Sequence, residues 1–119
     1  FWLVIVLLIR INLIYTGTIM SYYSVLFVTP TKEEWIPDYL SQTGEVLTRH
    51  GGKFLARTSN HEQVEGAEES AVLRIIIEWP SKDAAIAFMD DPEYVPHLQA
   101  RTEGSVSKHF LIEGKDALA

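Results

Sequence analysis

Apolar and polar positions along the chain switch between two periods, and the switches mark out the elements. Tyr22 to Val28 is short and rich in aromatic and β-branched residues, which predicts a buried strand. After it, Trp35, Ile36, Tyr39, Leu40, Val46 and Leu47 recur at three- and four-residue spacing and predict one apolar helix face. Thr31 with Glu34 three residues on has the form of a capping box, and Glu33 and Glu34 suit the positive end of the helix dipole. Pro37 belongs in the first turn or two and moves the helix start accordingly. The stretch "RHGGKFLAR", Arg49 to Arg57, then follows. A phosphate cradle places its glycines before a helix, with free N–H groups aimed at the anion. Here the glycines come after a helix and before a strand, so Gly51 or Gly52 is expected to stop the helix at positive φ.

Lys53 to Thr58 reads as a second strand and Ser59 to Ser70, polar and acidic, as the connecting hairpin loop. Ala71 to Trp79 carries the strongest strand signal, with Leu73, Ile75, Ile77 and Trp79 on one face and Val72, Arg74, Ile76 and Glu78 on the other. Pro80 breaks it. Ser81 caps a helix that turns Ala85, Phe88 and Met89 inward. Asp91 and Pro92 restart a helix, with Tyr94, Leu98 and Arg101 on one side, and Gly104 ends it. Val106 to Ile112 is the last strand. The order strand, helix, strand, strand, helix, strand is the ferredoxin-like split βαβ pattern, an α+β fold. Right-handed crossovers put the helices on one face of a four-stranded antiparallel sheet and leave the other face uncovered. That face carries large apolar side chains, so a homodimer with its two sheets facing each other, a dimeric α/β barrel, is expected.

Length changes little in this picture: 119 residues fit one domain. The first nineteen residues, "FWLVIVLLIRINLIYTGTI", differ from the rest. The apolar part is shorter than the roughly 20 residues a span needs, and Arg10 interrupts it. Three readings compete: the end of a membrane anchor, an extra packing element, or upstream sequence with Met20 as the natural start. The last is preferred, because "SYYSVLFV" begins a compact domain directly after Met20. The domain is then 20–119, with 1–19 an apolar leader outside it. A net charge of -6, with no basic run, disfavours nucleic acid and anionic membranes as partners. The absence of cysteine excludes disulfides and thiolate chemistry, and fits a cytoplasmic location.

The run "HGGKFLAR", then "VEG", "IIIEWPSKDAAIAFMDDPEY", "LQAR" and a closing "LIEG", in this order and spacing, resembles the domain of unknown function 1330 family. The resemblance covers about Tyr22 to Gly114. It implies the dimeric α/β barrel superfamily and places that family's recurrent residues on Gly52, Phe54, Arg57, Glu65, Gly66, Glu78, Pro80, Ser81, Tyr94 and Arg101. Thr58-Ser59 stands where the family often has glycines, and Trp79 where it often has Phe. The resemblance implies no reaction. Related barrels include cofactor-free monooxygenases, isomerases and haem enzymes, so fold alone selects no chemistry.

Candidate chemistry rests on charged residues within strands. On the uncovered face, Arg57, Arg74 and Glu78 would line a cavity between protomers able to bind an acid or carbonyl compound. Internal ion pairs are the competing reading. His109, mid-strand, is the candidate general base if it faces that cavity, with Glu78 the other catalytic candidate. Alternation with Ser107 and Leu111 leaves its face open. Tyr94 and Arg101, seven apart on one helix, are further ligand candidates, with a structural role competing. The four histidines show no metal-ligand spacing, and neither metal nor cofactor is expected. Two functions stay open: a binder or cofactor-free enzyme for a small organic molecule, and a non-catalytic dimeric module. A polar, solvent-reachable cavity of roughly 300 Å3 or more between the two sheets would favour the first, and a collapsed, fully paired interior the second.

Overall fold

The computed structural model describes residues 21–119, and the apolar leader lies outside the described residues. Strand β1, Tyr22–Pro30, is followed by helix α1, Ile36–Arg49. Strands β2, Lys53–Thr58, and β3, Leu73–Trp79, come next, then helices α2, Lys82–Asp90, and α3, Val95–Glu103, and strand β4, Ser105–Glu113. The sheet order is β2-β3-β1-β4, with each neighbouring pair antiparallel. This is the ferredoxin-like α+β arrangement, with the returning segment split into two helices.

The period-two pattern of β3 emerges as expected. Ile75, Ile77 and Trp79 are buried beneath the helices, as are Leu26 and Val28 of β1. Val46 and Leu47 of α1, Ala85 and Phe88 of α2, and Tyr94 close the core over them. Ring contacts run through its centre, with centroids 5.2 Å apart for Trp79–Phe88 and 4.0 Å for Phe88–Tyr94.

The helix ends show where local signals held. After α1, Gly51 adopts φ 79°, Gly51 N donates to the Thr48 carbonyl and Gly52 N to that of Leu47. This pair of bonds is a Schellman motif, so the glycine pair terminates a helix and cradles nothing. Ser81 Oγ accepts from Ala84 N at 3.1 Å and caps α2.

The Thr31 capping box does not form. A helix starting there would carry Pro37 past its first turn, where a missing N–H breaks the ladder. The helix begins instead at Ile36, with Pro37 in its first turn. Thr31 N and Lys32 N donate to the Gly104 carbonyl at 2.8 and 3.0 Å, and Trp35 Nε1 joins them at 3.0 Å. One carbonyl at the end of α3 thus pins the β1–α1 connection. Asp91 does accept from Glu93 N at 2.9 Å, but it caps a turn, and α3 proper starts at Val95. Strand β3 begins at Leu73, two residues later than the pattern suggested.

Candidate functional site

Between the covered sheet face and helices α1 and α3 lies a cavity of about 390 Å3. Most of its wall is apolar, including Leu26, Ile75, Phe54 and Phe88. Leu40, 55% exposed, and the exposed Arg57 also line it and mark its mouth. Arg57, Arg101, His109 and the hydroxyls of Tyr39 and Tyr94 bring polar atoms to its wall or rim, as do Trp35 and Thr43, whose hydrogens are already given to the Gly104 and Tyr39 carbonyls. Among the described residues no aspartate or glutamate lines it.

Arg101 is the unusual member. It is 3% exposed, and its Nε and Nη1 are buried without a hydrogen-bond partner among the described residues. The Tyr39 ring sits 6.0 Å from its guanidinium carbon, at the outer limit of a cation–π contact. Buried charges are ordinarily paired, because desolvating one costs several kcal/mol per ion (about 3–5 kcal/mol where a partner is removed). The Tyr39 and Tyr94 hydroxyls bond each other at 2.6 Å. Burial pushes the Tyr39 phenol well above its ordinary range, with the Tyr94 hydroxyl adding to this and the Arg101 charge opposing it. Tyr39 therefore stays protonated.

His109 pairs with Leu26 in the β1–β4 ladder, and Leu26 pairs with Ile75, so all three point to the helix side. His109 Nε2 lies 2.8 Å from Ser24 Oγ. Ser24 is fully buried, and its Oγ also accepts from Trp79 Nε1 at 2.8 Å. Burial lowers the proton affinity of the imidazole, and the nearby Arg101 charge lowers it further, so His109 is neutral at neutral pH.

Of the four residues weighed for a cavity on the uncovered face, two lie there and two do not, and the face left open for His109 is the helix side. Arg74 and Glu78 do lie there: the Arg74 guanidinium stacks 4.1 Å from the Phe27 ring, and Tyr23 Oη approaches Glu78 at 3.5 Å. His109 lies on the other face because its strand register matches it to Leu26. Arg57 moves for a different reason. Phe54 pairs with Ile77 and Arg57 with Ile75, and a bulge between Phe54 and Ala56 absorbs the extra residue. Two residues three apart thereby reach the same side, where strict alternation would separate them. Arg57 then stacks on Phe54, 4.2 Å from guanidinium carbon to ring centroid. Tyr94 and Arg101 join Arg57 and His109 at the helix-side cavity.

Sequence reasoning missed Ser24 and Trp79, which lie behind the cavity wall and reach it through His109. The signal available was Ser24 itself, a polar residue on the same strand face as Leu26 and Val28. Among the described residues no group of three His, Cys, Asp or Glu is placed to hold a metal ion. No helix among them is long and apolar enough to cross a membrane.

An antiparallel ferredoxin-like sheet with a helix-covered cavity defines a fold class that many chemistries share. Residues 21–115 match the model of the domain of unknown function DUF1330, and the chain belongs to that family. The solved structure of RPA0582, a protein of unknown function from Rhodopseudomonas palustris, superposes with a TM-score of 0.68 at 18% identity, covering 90% of this chain and 93% of that one. SnoaB, a cofactor-independent oxygenase from Streptomyces nogalater, superposes with a TM-score of 0.51 at 20% identity, covering 84% and 96%. The Arabidopsis thaliana protein At3g17210 does so with a TM-score of 0.55 at 14% identity, covering 81% and 88%. At these identities the likeness is one of fold. A comparison with curated proteins found no match.

Proposed function

We propose that the helix-side cavity binds a small, largely apolar organic molecule bearing an anionic oxygen group, and that Arg101 receives that group. The reading rests on one observation: a guanidinium 3% exposed, with Nε and Nη1 unpartnered among the described residues, at the wall of a 390 Å3 cavity that no carboxylate of those residues lines. An anion supplies the missing partner and turns a desolvation cost into charge-assisted hydrogen bonds. The apolar wall takes the rest of the molecule, and Arg57 at the mouth attracts it. SnoaB illustrates that a chain of this fold can carry chemistry without a cofactor. For this chain, Arg57, Tyr94, Arg101 and His109 form the ligand-binding group, and Arg74 and Glu78 are excluded from it by their face.

Those two residues serve the second part of the proposal, a homodimer. On the uncovered face Ile76, Phe110 and Ile112 are 38%, 50% and 48% exposed, and the Phe27 and Phe110 rings sit 6.0 Å apart. A second copy placed face to face buries this patch, and under two-fold symmetry any contact between Arg74 of one copy and Glu78 of the other is made twice. A stable interface needs about 800 Å2 per partner, which a four-stranded sheet face can supply.

Isothermal titration with 1-naphthoate as the probe tests the cavity reading. Saturable binding is expected, at least ~10-fold tighter than for the neutral 1-naphthamide, a difference of about 1.4 kcal/mol. Equal binding of acid and amide, or none of either, would leave the protein as a dimeric module without an anion site. Light scattering tests the assembly: a monomer at micromolar concentration overturns it.

A further inference from the structure

The buried chain Trp79–Ser24–His109 settles which way His109 presents its proton. An indole nitrogen can only donate, so Trp79 Nε1 gives its hydrogen to Ser24 Oγ at 2.8 Å. The Ser24 hydroxyl proton then needs an acceptor, because Ser24 is 0% exposed and buried polar groups are paired. Among the described residues Ser24 Oγ bonds one other atom, His109 Nε2, also at 2.8 Å. The arrangement that satisfies all three groups runs in one direction: Trp79 donates to Ser24, and Ser24 donates to His109. Were His109 Nε2 the donor, the Ser24 oxygen would accept twice and its own proton would be stranded in the core.

We infer that this chain holds His109 as the Nδ1–H tautomer, so that it faces the cavity as a hydrogen-bond donor to a ligand oxyanion and does not act as a general base. The rest of the wall agrees. The unpartnered Arg101 nitrogens are donors, and the Tyr39–Tyr94 pair keeps one hydroxyl proton to offer. Thr43, whose hydroxyl donates to the Tyr39 carbonyl, is the exception among these groups. A wall on which donors predominate, with no carboxylate among the described lining residues, recognises ligands that accept. The ligand class is therefore a phenol, or a compound already in its enol form, bound as its anion: its O–H proton passes to water, and the oxygen left behind accepts from His109 Nδ1 and Arg101. Ser24 and Trp79 are positioning residues that act through His109. The inference rests on the anion reading of the cavity proposed above.

Two measurements on the full chain test it. The first is 15N NMR of the imidazoles in the ligand-free protein at pH 7. A protonated Nδ1 and an unprotonated Nε2 for His109 are expected, and the opposite assignment overturns the inference. The second uses 4-nitrophenol as the probe and reads its phenolate absorbance against pH. Bound to the wild type, its acidity is expected to rise by about 10-fold or more, one pKa unit. The rise should shrink in Ser24→Ala, where the tautomer is released, and more so in His109→Phe. An undiminished rise in His109→Phe overturns the donor role. Should Ser24→Ala not fold, the wild-type tautomer still decides. Loss of 1-naphthoate binding sinks the anion site itself. An Nε2–H tautomer in a protein that still binds 1-naphthoate sinks only the role given to His109.

Discussion

Replacing Arg101 with Met separates a ligand-binding arginine from a structural one, because the two roles predict opposite signs. Arg101 has no carboxylate within ion-pair distance among the described residues, and two of its three guanidinium nitrogens lack partners. Met keeps most of the stem that packs against the core, and it removes a charge that the free protein holds desolvated. Apolar replacement of buried ions is typically neutral or stabilising by about 1–4 kcal/mol, whereas breaking a structural pair costs about 3–5 kcal/mol. Urea denaturation of Arg101→Met should therefore show a midpoint unchanged or raised. Binding should move the other way. Each charge-assisted hydrogen bond contributes about 1.5–3 kcal/mol, so losing the two at Nε and Nη1 weakens 1-naphthoate by roughly 100-fold or more. Stability gained where a site is lost is the trade-off expected of a residue held at a cost for function. A variant destabilised by about 3 kcal/mol that binds the probe as well as wild type would refute the reasoning and make Arg101 a structural residue.

Three other substitutions probe the remaining parts of the structure. Phe110→Glu puts a charge in the middle of the uncovered sheet face, and light scattering should then find monomer at concentrations where the proposed wild-type dimer is expected; a dimer mass unchanged by the substitution would move the interface elsewhere. Stability should fall as pH drops through about 6.5, because burial depresses the His109 proton affinity and the unfolded chain then binds the proton that the folded one refuses. Thermal midpoints of His109→Gln should be flatter between pH 7 and 5, and curves parallel to wild type would remove His109 as the cause. The bonded Asp91 carboxyl, lowered by His50 and by the Glu93 N–H, loses its contribution only at more acid pH, below about 4. Gly104→Ala would bring a Cβ to 2.3 Å from the Trp35 ring and disturb the carbonyl that pins the β1–α1 connection, a loss of about 1–3 kcal/mol by thermal denaturation. A midpoint equal to wild type would show that Trp35 gives way freely.

Chain-local patterns carried the fold a long way. The alternation of Leu73, Ile75, Ile77 and Trp79, the cap at Ser81 and the stop at Gly51 each depend on neighbours a few residues away, and each took the form its sequence predicted. So did the strand and helix order that leads to the ferredoxin-like sheet. The candidate site was legible only in part. Arg57, Tyr94, Arg101 and His109 were visible as polar groups in or beside apolar runs, but the side of the sheet they face was not. That depends on pairing between strands: the register setting His109 against Leu26, and the bulge that returns Arg57 to the side of Phe54. A one-residue shift in either would reverse the face, and nothing within a single strand fixes it. The capping box at Thr31 failed for a related reason, since its N–H is taken by a carbonyl far along the chain, that of Gly104. The bond from Ser24 to His109 spans 85 residues, and that from Trp79 to Ser24 spans 55. Sequence determined which residues were buried strand and which were helix. Tertiary structure decided which polar side chains share one cavity, because that rests on long-range pairing that local periodicity does not encode.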